Sequence, residues 1–170
     1  MPPASTAPRA HVPALLGFLA ASIAAGGVGA LLQGPTSRVT ERYLAYDLPT
    51  WAPDGSVFGI VWPVLYVLIG LAAWQLWRRT SERTAIRGAL TLWGAQLVLN
   101  AAWPGVFFGI PALGAAIVVI VALDVTVMAT IVAFWRHDRL AALLLVPYLV
   151  WILFATALNV AVWSLNPTGG

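Results

Sequence analysis

Long uncharged apolar runs constrain this chain more than any other feature. Each run is close to the roughly 20 residues that an α-helix needs to cross about 30 Å of hydrocarbon. Of the 170 residues, 61% are hydrophobic and only 9% are charged. So few charged side chains cannot cover the surface that a soluble protein of this length exposes to water. The pattern predicts an all-α membrane protein, a bundle of five transmembrane helices.

The predicted spans are residues 12–33, 55–77, 88–108, 112–135 and 140–165. The third and fourth form one continuous apolar run, which we divide at Gly109-Ile110-Pro111 because a helix rarely continues through the residue before a proline. Together the spans make one transmembrane domain over residues 12–165. The proline-rich residues 1–11 are expected to form a disordered tail.

The first span has an alternative interpretation as a cleaved signal peptide, because Arg9 precedes it and small residues follow. Its apolar core is longer than a typical signal sequence. Small residues also recur every four positions, which favours close packing against a neighbouring helix. These residues are Gly17, Ala21, Ala25 and Gly29.

All nine basic residues are arginines, and they fall between the apolar runs. In a five-span topology, seven lie on one side of the membrane and only Arg38 and Arg42 on the other. The seven are Arg9, Arg78, Arg79, Arg83, Arg87, Arg136 and Arg139. The positive-inside rule therefore predicts a cytoplasmic amino terminus and an outside carboxyl terminus. Arginines placed for topology do not indicate a nucleic-acid partner.

Signatures of enzymes and metal sites are missing from the sequence. The chain has no cysteine, and its two histidines, His11 and His137, lie beside charged or terminal residues. No H-E-x-x-H motif, nucleophile elbow or glycine-rich phosphate loop is present. We therefore predict no metal, no cofactor and a function other than catalysis.

Aromatic and amide side chains recur at helical spacing, so that each set lies on one helix face. These sets are Phe58, Trp62 and Tyr66 in the second span, Trp93, Gln96, Asn100, Trp103 and Phe107 in the third, and Pro147, Trp151 and Ala155 in the fifth. Tryptophans at span ends are typical of the interfacial belt. Those deeper inside either pack between helices or line a cavity for a flat aromatic ligand, and the amides on the same face favour the cavity.

Two other features leave alternatives open. Asp124 is the one ionisable residue near the middle of a span, which suggests either proton coupling or a structural hydrogen bond to a neighbouring helix. Gly105 and Gly109 form a G-x-x-x-G pair for a dimer contact or for packing within the chain. The connection from Gly34 to Asp54 is long enough to be a functional lid.

Three sequence blocks carry a family resemblance. The first is Pro49-Thr50-Trp51-Ala52-Pro53 followed by Phe58, Trp62 and Tyr66; the second is Gln96-Leu97 with Asn100, Trp103 and Phe107-Phe108; the third runs from Pro147-Tyr148 through Trp151 to Asn159. In this order they resemble the TspO/MBR family, which includes bacterial tryptophan-rich sensory proteins and the mitochondrial translocator protein. The resemblance extends from about Tyr43 to Trp163.

The resemblance implies a five-helix bundle in a bacterial inner membrane, often a homodimer, with a pocket beneath the first long loop. The implied function is a sensor, receptor or transporter of porphyrins such as protoporphyrin and haem-like tetrapyrroles. Its implied pocket residues are Tyr43, Trp51, Trp62, Tyr66, Asn100, Trp103, Trp151 and Ala155, to which the aromatic face of the third span adds Phe107. Loop arginines Arg38 and Arg42 are then candidates to meet porphyrin propionates.

Departures from the family pattern bear on the rival functions. Asp54 replaces the second proline of the family's W-x-P-P, and Arg42 stands where some bacterial members have a tryptophan. That tryptophan and the one at Trp151 are implicated in light-dependent porphyrin breakdown, the basis of a rival enzymatic function. The carboxyl-terminal sterol pattern is missing, with Val160 and Ser164 at its aromatic and basic positions. A small proton-coupled transporter using Asp124 is the third alternative.

Overall fold

The computed structural model describes residues 11–80, 82–110 and 112–167. These residues form the helices α1 (His11–Gln33), α2 (Thr36–Ala45), α3 (Gly55–Arg79), α4 (Arg87–Pro104), α5 (Leu113–Trp135), α6 (Arg139–Leu143) and α7 (Val146–Leu165), with a π-helical turn at Gly105–Gly109. The all-α prediction is confirmed for this part of the chain. The predicted disordered tail and the division at Pro111 concern residues 1–10 and 111, which lie outside the described residues.

Four stretches are long and apolar enough to cross a membrane: His11–Gln33, Gly55–Arg79, Leu113–Trp135 and Arg139–Leu165, the last joining α6 and α7. The chain is thus a multi-pass membrane protein. Helix α4 is 18 residues long, but Arg87, Gln96 and Asn100 reduce its apolar character. Among the described residues, four of the five predicted spans therefore coincide with stretches that meet the criterion of length and composition, and the third, which falls on α4, does not.

Prolines alter two of the predicted helices. The predicted span 140–165 coincides with the apolar stretch Arg139–Leu165, but the helix is interrupted there, since α6 ends at Leu143 and α7 begins at Val146. Pro147 lies in the first turn of α7; it has no N–H to donate, and its ring would clash with the carbonyl group of Leu143 in a continuous helix. In the third span the α-helix ends at Pro104, and the chain continues to Gly109 as the π-helical turn.

The long connection contains a helix that the sequence analysis did not predict. Gly34 has a φ of +90°, which reverses the chain sharply between α1 and α2. Within α2, Tyr43 is buried while Arg38 and Glu41 on the other face are exposed. Val39 and Tyr43, four residues apart, lie on the less exposed side of this amphipathic helix, but a pattern of two residues is too short to predict it.

The transmembrane helices pack with α1 against α3 and α4, and with α5 against α4 and α7. Small residues allow the closest approaches. A Cβ atom on Gly105 would lie 2.9 Å from the side chain of Leu32, and one on Gly109 would lie 2.5 Å from the Leu32 carbonyl oxygen. Of the two alternatives for the G-x-x-x-G pair, the structure therefore supports packing within the chain.

Candidate ligand-binding site

A cavity of about 540 Å³ lies beneath α2, between α1, the first half of α3 and the end of α4. Its aromatic wall consists of Tyr43, Phe58, Trp62, Tyr66, Trp103 and Phe108. Polar groups of Gln33, Thr36, Thr40, Asp54 and Ser56 lie on the same wall. Cavities of this size, mostly aromatic with a few polar groups, are typical of small-molecule sites.

Helix α3 provides one flat side of the cavity. Trp62 and Tyr66 are one turn apart, and their rings stack with centroids 5.6 Å apart and planes inclined by 24°. On α4, Trp103 stacks on Phe107 at 5.2 Å, and its indole nitrogen donates to Oδ1 of Asn159 at 3.2 Å. Because that N–H is satisfied within the bundle, Trp103 offers the cavity an apolar ring.

Tyr43 closes the cavity from above. It is 6% exposed, its hydroxyl donates to the carbonyl oxygen of Pro53 at 3.0 Å, and its ring meets the edge of Phe58 at 6.0 Å. Burial raises the pKa of the Tyr43 hydroxyl, and the nearby charge of Asp54 raises it further. The hydroxyl therefore keeps its proton and holds α2 to the segment that enters α3.

Arg42 binds α2 to the π-helical turn at Gly105–Gly109. Its guanidinium donates to the carbonyl oxygens of Phe108 and Gly109, the latter at 2.7 Å. These carbonyls belong to the π-helical turn, whose end leaves acceptors without helical partners. The residue that replaces a tryptophan of some family members thus anchors α2 over the cavity.

A buried polar cluster lies behind the aromatic wall. The Tyr66 hydroxyl donates to Oδ1 of Asn100 at 2.8 Å, Nδ2 of Asn100 donates to the Tyr148 hydroxyl at 3.0 Å, and that hydroxyl donates to Oε1 of Gln96 at 2.9 Å. Asn100 is only 2% exposed. Its amide therefore supports Tyr66 from behind and does not line the cavity.

The remaining predicted site residues also lie outside the cavity lining. Trp151 meets Trp62 edge-on at 6.5 Å and stands behind it. Phe107 and Ala155 are buried in the apolar cluster around Trp103. Trp51 is 48% exposed and packs against Phe154 at 5.8 Å. The structure thus brings Tyr43, Trp62, Tyr66 and Trp103 to the cavity, and places the other five around them.

The sequence matches a family model and several known relatives. The TspO/MBR family model matches residues 18–164. The chain belongs to the TspO/MBR family. It is 38% identical over 151 residues to the Tryptophan-rich sensory protein of Cereibacter sphaeroides, covering 89% of this chain and 90% of that protein. It is also 38% identical over 127 residues to the human Translocator protein, covering 73% and 74%, and 38% identical over 152 residues to the Tryptophan-rich protein TspO of Archaeoglobus fulgidus, covering 89% and 96%.

In this TspO/MBR protein the three sequence blocks that carry the resemblance converge in space. Pro53 of the first block accepts the hydrogen bond from Tyr43, and Trp62 and Tyr66 form one wall of the cavity. The second block supplies Trp103, and the third supplies the residues packed behind. The family resemblance inferred from the sequence is confirmed.

Most lining residues of the TspO/MBR cavity were missing from the predicted site, and Phe58 and Gly26 show why. Phe58 belongs to the aromatic stripe of α3 and lines the cavity, so its spacing was a sufficient signal. Gly26 of α1 also lines it. A Cβ atom at Gly26 would lie 2.3 Å from Cε2 of Tyr66, which shows why a side chain is excluded there. Spacing within one helix carries no signal for such a contact between helices.

Asp124 lies away from the aromatic cavity of this TspO/MBR chain. It lines a groove of about 650 Å³ along α5 and α7 on the outside of the bundle. Its Oδ2 atom lies 2.8 Å from the Thr156 hydroxyl, which donates to it. The structure therefore contains the hydrogen bond to a neighbouring helix that the structural interpretation of Asp124 requires.

Proposed function

We propose that this TspO/MBR protein binds porphyrins, or related planar hydrophobic ligands, in the cavity beneath α2 and acts as their membrane receptor, sensor or transporter. The aromatic cavity is the observation that carries the proposal. Trp62, Tyr66 and Trp103 line this cavity of about 540 Å³. Stacking on each ring contributes about 0.5–1.5 kcal/mol beyond the burial of area.

The polar residues at the end of α1 and on α2, which lies over the cavity, fit a ligand with a flat apolar body and a polar edge. Gln33, Thr36 and Thr40 place amide and hydroxyl groups beside the aromatic wall. Arg42 is bonded to carbonyl groups, so Arg38, which is exposed on α2, is the better candidate to meet a propionate. Opening of α2, tied by Tyr43 and Arg42, would admit the ligand.

The membrane arrangement is part of the proposal. We assign α4, the third predicted span, as a membrane-spanning helix beside the other four. It packs between α1 and α5, and its Gln96 and Asn100 are buried and bonded to Tyr148. Its amides therefore need not face lipid. The distribution of the arginines supports an amino terminus in the cytoplasm of a bacterial cell and a carboxyl terminus outside the inner membrane. A homodimer is the assembly that the family suggests.

Titration of the purified protein with protoporphyrin tests the proposal, with tryptophan quenching as the measurement. Trp62→Ala should weaken binding between a few-fold and about tenfold. The matched control is Trp135→Ala, which removes an indole that is 47% exposed at the end of α5 and should leave the affinity unchanged. Equal losses in both variants would contradict the cavity as the site. Bleaching of the bound porphyrin under illumination would instead support the degrading enzyme.

A further inference from the structure

Arginines are concentrated at the end of the bundle opposite α2. This end carries Arg78, Arg79, Arg83, Arg87, Arg136 and Arg139, together with the carboxylates of Glu82 and Asp138. Asp138 accepts hydrogen bonds from Nε2 of Gln75 at 3.2 Å and from the backbone of Ala141 at 2.7 Å. The Glu82 carboxylate accepts from the Thr84 hydroxyl at 3.1 Å. This end therefore carries six arginines and two carboxylates, and both carboxylates already accept hydrogen bonds from other groups.

Tryptophan rings mark the depth of this end in the membrane. The guanidinium carbons of Arg78, Arg83 and Arg139 lie 4.3, 3.9 and 5.5 Å from the ring centroids of Trp74, Trp77 and Trp135. Indole rings concentrate at the level of the lipid headgroups. The arginines on these rings consequently lie where lipid phosphates lie.

This end has a depression in its surface. Trp77, Arg83, Arg87, Leu90 and Thr91 line this shallow, open cavity of about 440 Å³, which we call the arginine–tryptophan site. Arg83 is held in place, because its guanidinium lies on Trp77 and donates to the carbonyl oxygens of Trp77 and Thr80, the latter at 2.8 Å. Both bonds are donated by Nη1, so the N–H groups of Nε and Nη2 remain to bind an acceptor in the cavity. Arg87 is exposed beside it.

We propose that the arginine–tryptophan site binds the headgroup of an anionic phospholipid. The phosphate would accept hydrogen bonds from Arg83 and Arg87, the strongest kind of contact an arginine makes with an oxyanion. The acyl chains would lie over the apolar surface of Trp77 and Leu90. A zwitterionic lipid offers the same phosphate together with a choline that the surrounding arginines repel. This inference needs only the membrane location of the protein and is independent of porphyrin binding.

The test measures lipids retained by the protein after extraction from nanodiscs of equimolar phosphatidylglycerol and phosphatidylcholine, using native mass spectrometry. The wild-type protein should retain phosphatidylglycerol preferentially. An arginine close to the headgroup favours an anionic lipid by about fivefold, and this contribution decays over about 8 Å at physiological salt. Arg87→Gln alone should therefore lower the preference about fivefold, and Arg83→Gln combined with Arg87→Gln should lower it more than tenfold.

The matched control removes the same charge from the same end but outside the site. Arg79→Gln combined with Arg136→Gln should keep most of the preference, and Arg38→Gln, on α2 at the other end, should keep all of it. An equal loss in the Arg79 and Arg136 double variant would overturn the proposal in favour of general surface charge. Displacement by soluble glycerol phosphate at lipid-like concentration would overturn the lipid as the ligand. Arg87→Gln removes no bond to a backbone carbonyl, so it tests the site even if the Arg83 variant fails to fold.

Discussion

The hydroxyl of Tyr66 donates to Oδ1 of Asn100 at 2.8 Å, which makes the cavity wall and the buried polar cluster one unit. One face of the Tyr66 ring stacks with Trp62, while its hydroxyl is the first member of a chain that reaches Tyr148 and Gln96. The position of a ligand-facing ring thus depends on hydrogen bonds deep in the bundle.

Tyr66→Phe separates the two roles of this side chain. The ring remains, so protoporphyrin affinity should change by less than about twofold. Oδ1 of Asn100 loses its donor in a buried place, which should lower the free energy of unfolding by about 1–3 kcal/mol. Thermal unfolding in detergent is the measurement, with Tyr46→Phe, at the carboxyl end of α2, as the control. Unchanged stability would show that the bond contributes little.

Gly26→Ala should weaken ligand binding by changing the cavity from the α1 side. The added methyl group would lie 2.3 Å from the Tyr66 ring, so the ring must move toward the cavity or the helices must separate. We expect several-fold weaker protoporphyrin binding and a cost of about 1–3 kcal/mol from overpacking. Gly27→Ala is the matched control, since nothing lies within 4 Å of its added methyl group. Similar affinities for the two variants would argue against Tyr66 as part of the binding wall.

Gly109→Ala tests the close contact between the π-helical turn and α1. The added methyl group would meet the carbonyl oxygen of Leu32 at 2.5 Å, and backbone cannot rotate away as a side chain can. We expect a clear loss of thermal stability. Gly94→Ala, within α4 and with open space around it, should instead stabilise by up to about 1 kcal/mol through helix propensity. If Gly109→Ala were as stable as the wild type, the turn would have to pack more loosely than described.

The sequence predicts the positions of the helices because apolar length and proline placement are local properties. Phe58, Trp62 and Tyr66 were found on one face for the same reason. The sequence could not predict which residues of these helix faces line the cavity and which pack behind its wall. Asn100 was expected at the ligand but supports Tyr66 from behind, since its partner Tyr148 lies 48 residues away in sequence. Likewise, Trp151 shares the aromatic spacing and yet stands behind Trp62.

Helix α2 shows a different limit. Its ten residues are too short and too polar to stand out beside the membrane spans, and an isolated helix of this length is marginal in water. Contacts of Tyr43 and Arg42 with α3 and the π-helical turn stabilise it. Such tertiary contacts become visible only once the bundle is known.

Asp124→Asn should leave folding and protoporphyrin affinity nearly intact. An amide keeps the shape of the carboxyl group and can still accept from Thr156, while it removes a charge that is expensive to bury in a membrane. Binding and unfolding temperature are the measurements, and Asp124→Leu, which cannot accept that bond, is the comparison and should be less stable. A loss of transport or binding in a well-folded Asp124→Asn protein would reject the structural role and favour proton coupling.

Acid should loosen the first turn of α3 through Asp54. Its carboxylate accepts a hydrogen bond from the backbone N–H of Ser56 at 2.8 Å, and hydrogen bonds from Ser56 lower the pKa of Asp54 below its usual range. A carboxyl group with a lowered folded-state pKa stabilises the fold fully above its unfolded pKa of about 3.9, and that stabilisation is lost as the pH falls through the folded pKa.

Hydrogen exchange of the α3 amides, corrected for intrinsic rates, should therefore show less protection near Ser56 below about pH 4. Asp54→Asn caps helices comparably well without titrating, so its protection there should not change with pH. If both proteins lost protection equally, Asp54 would not be the titrating group.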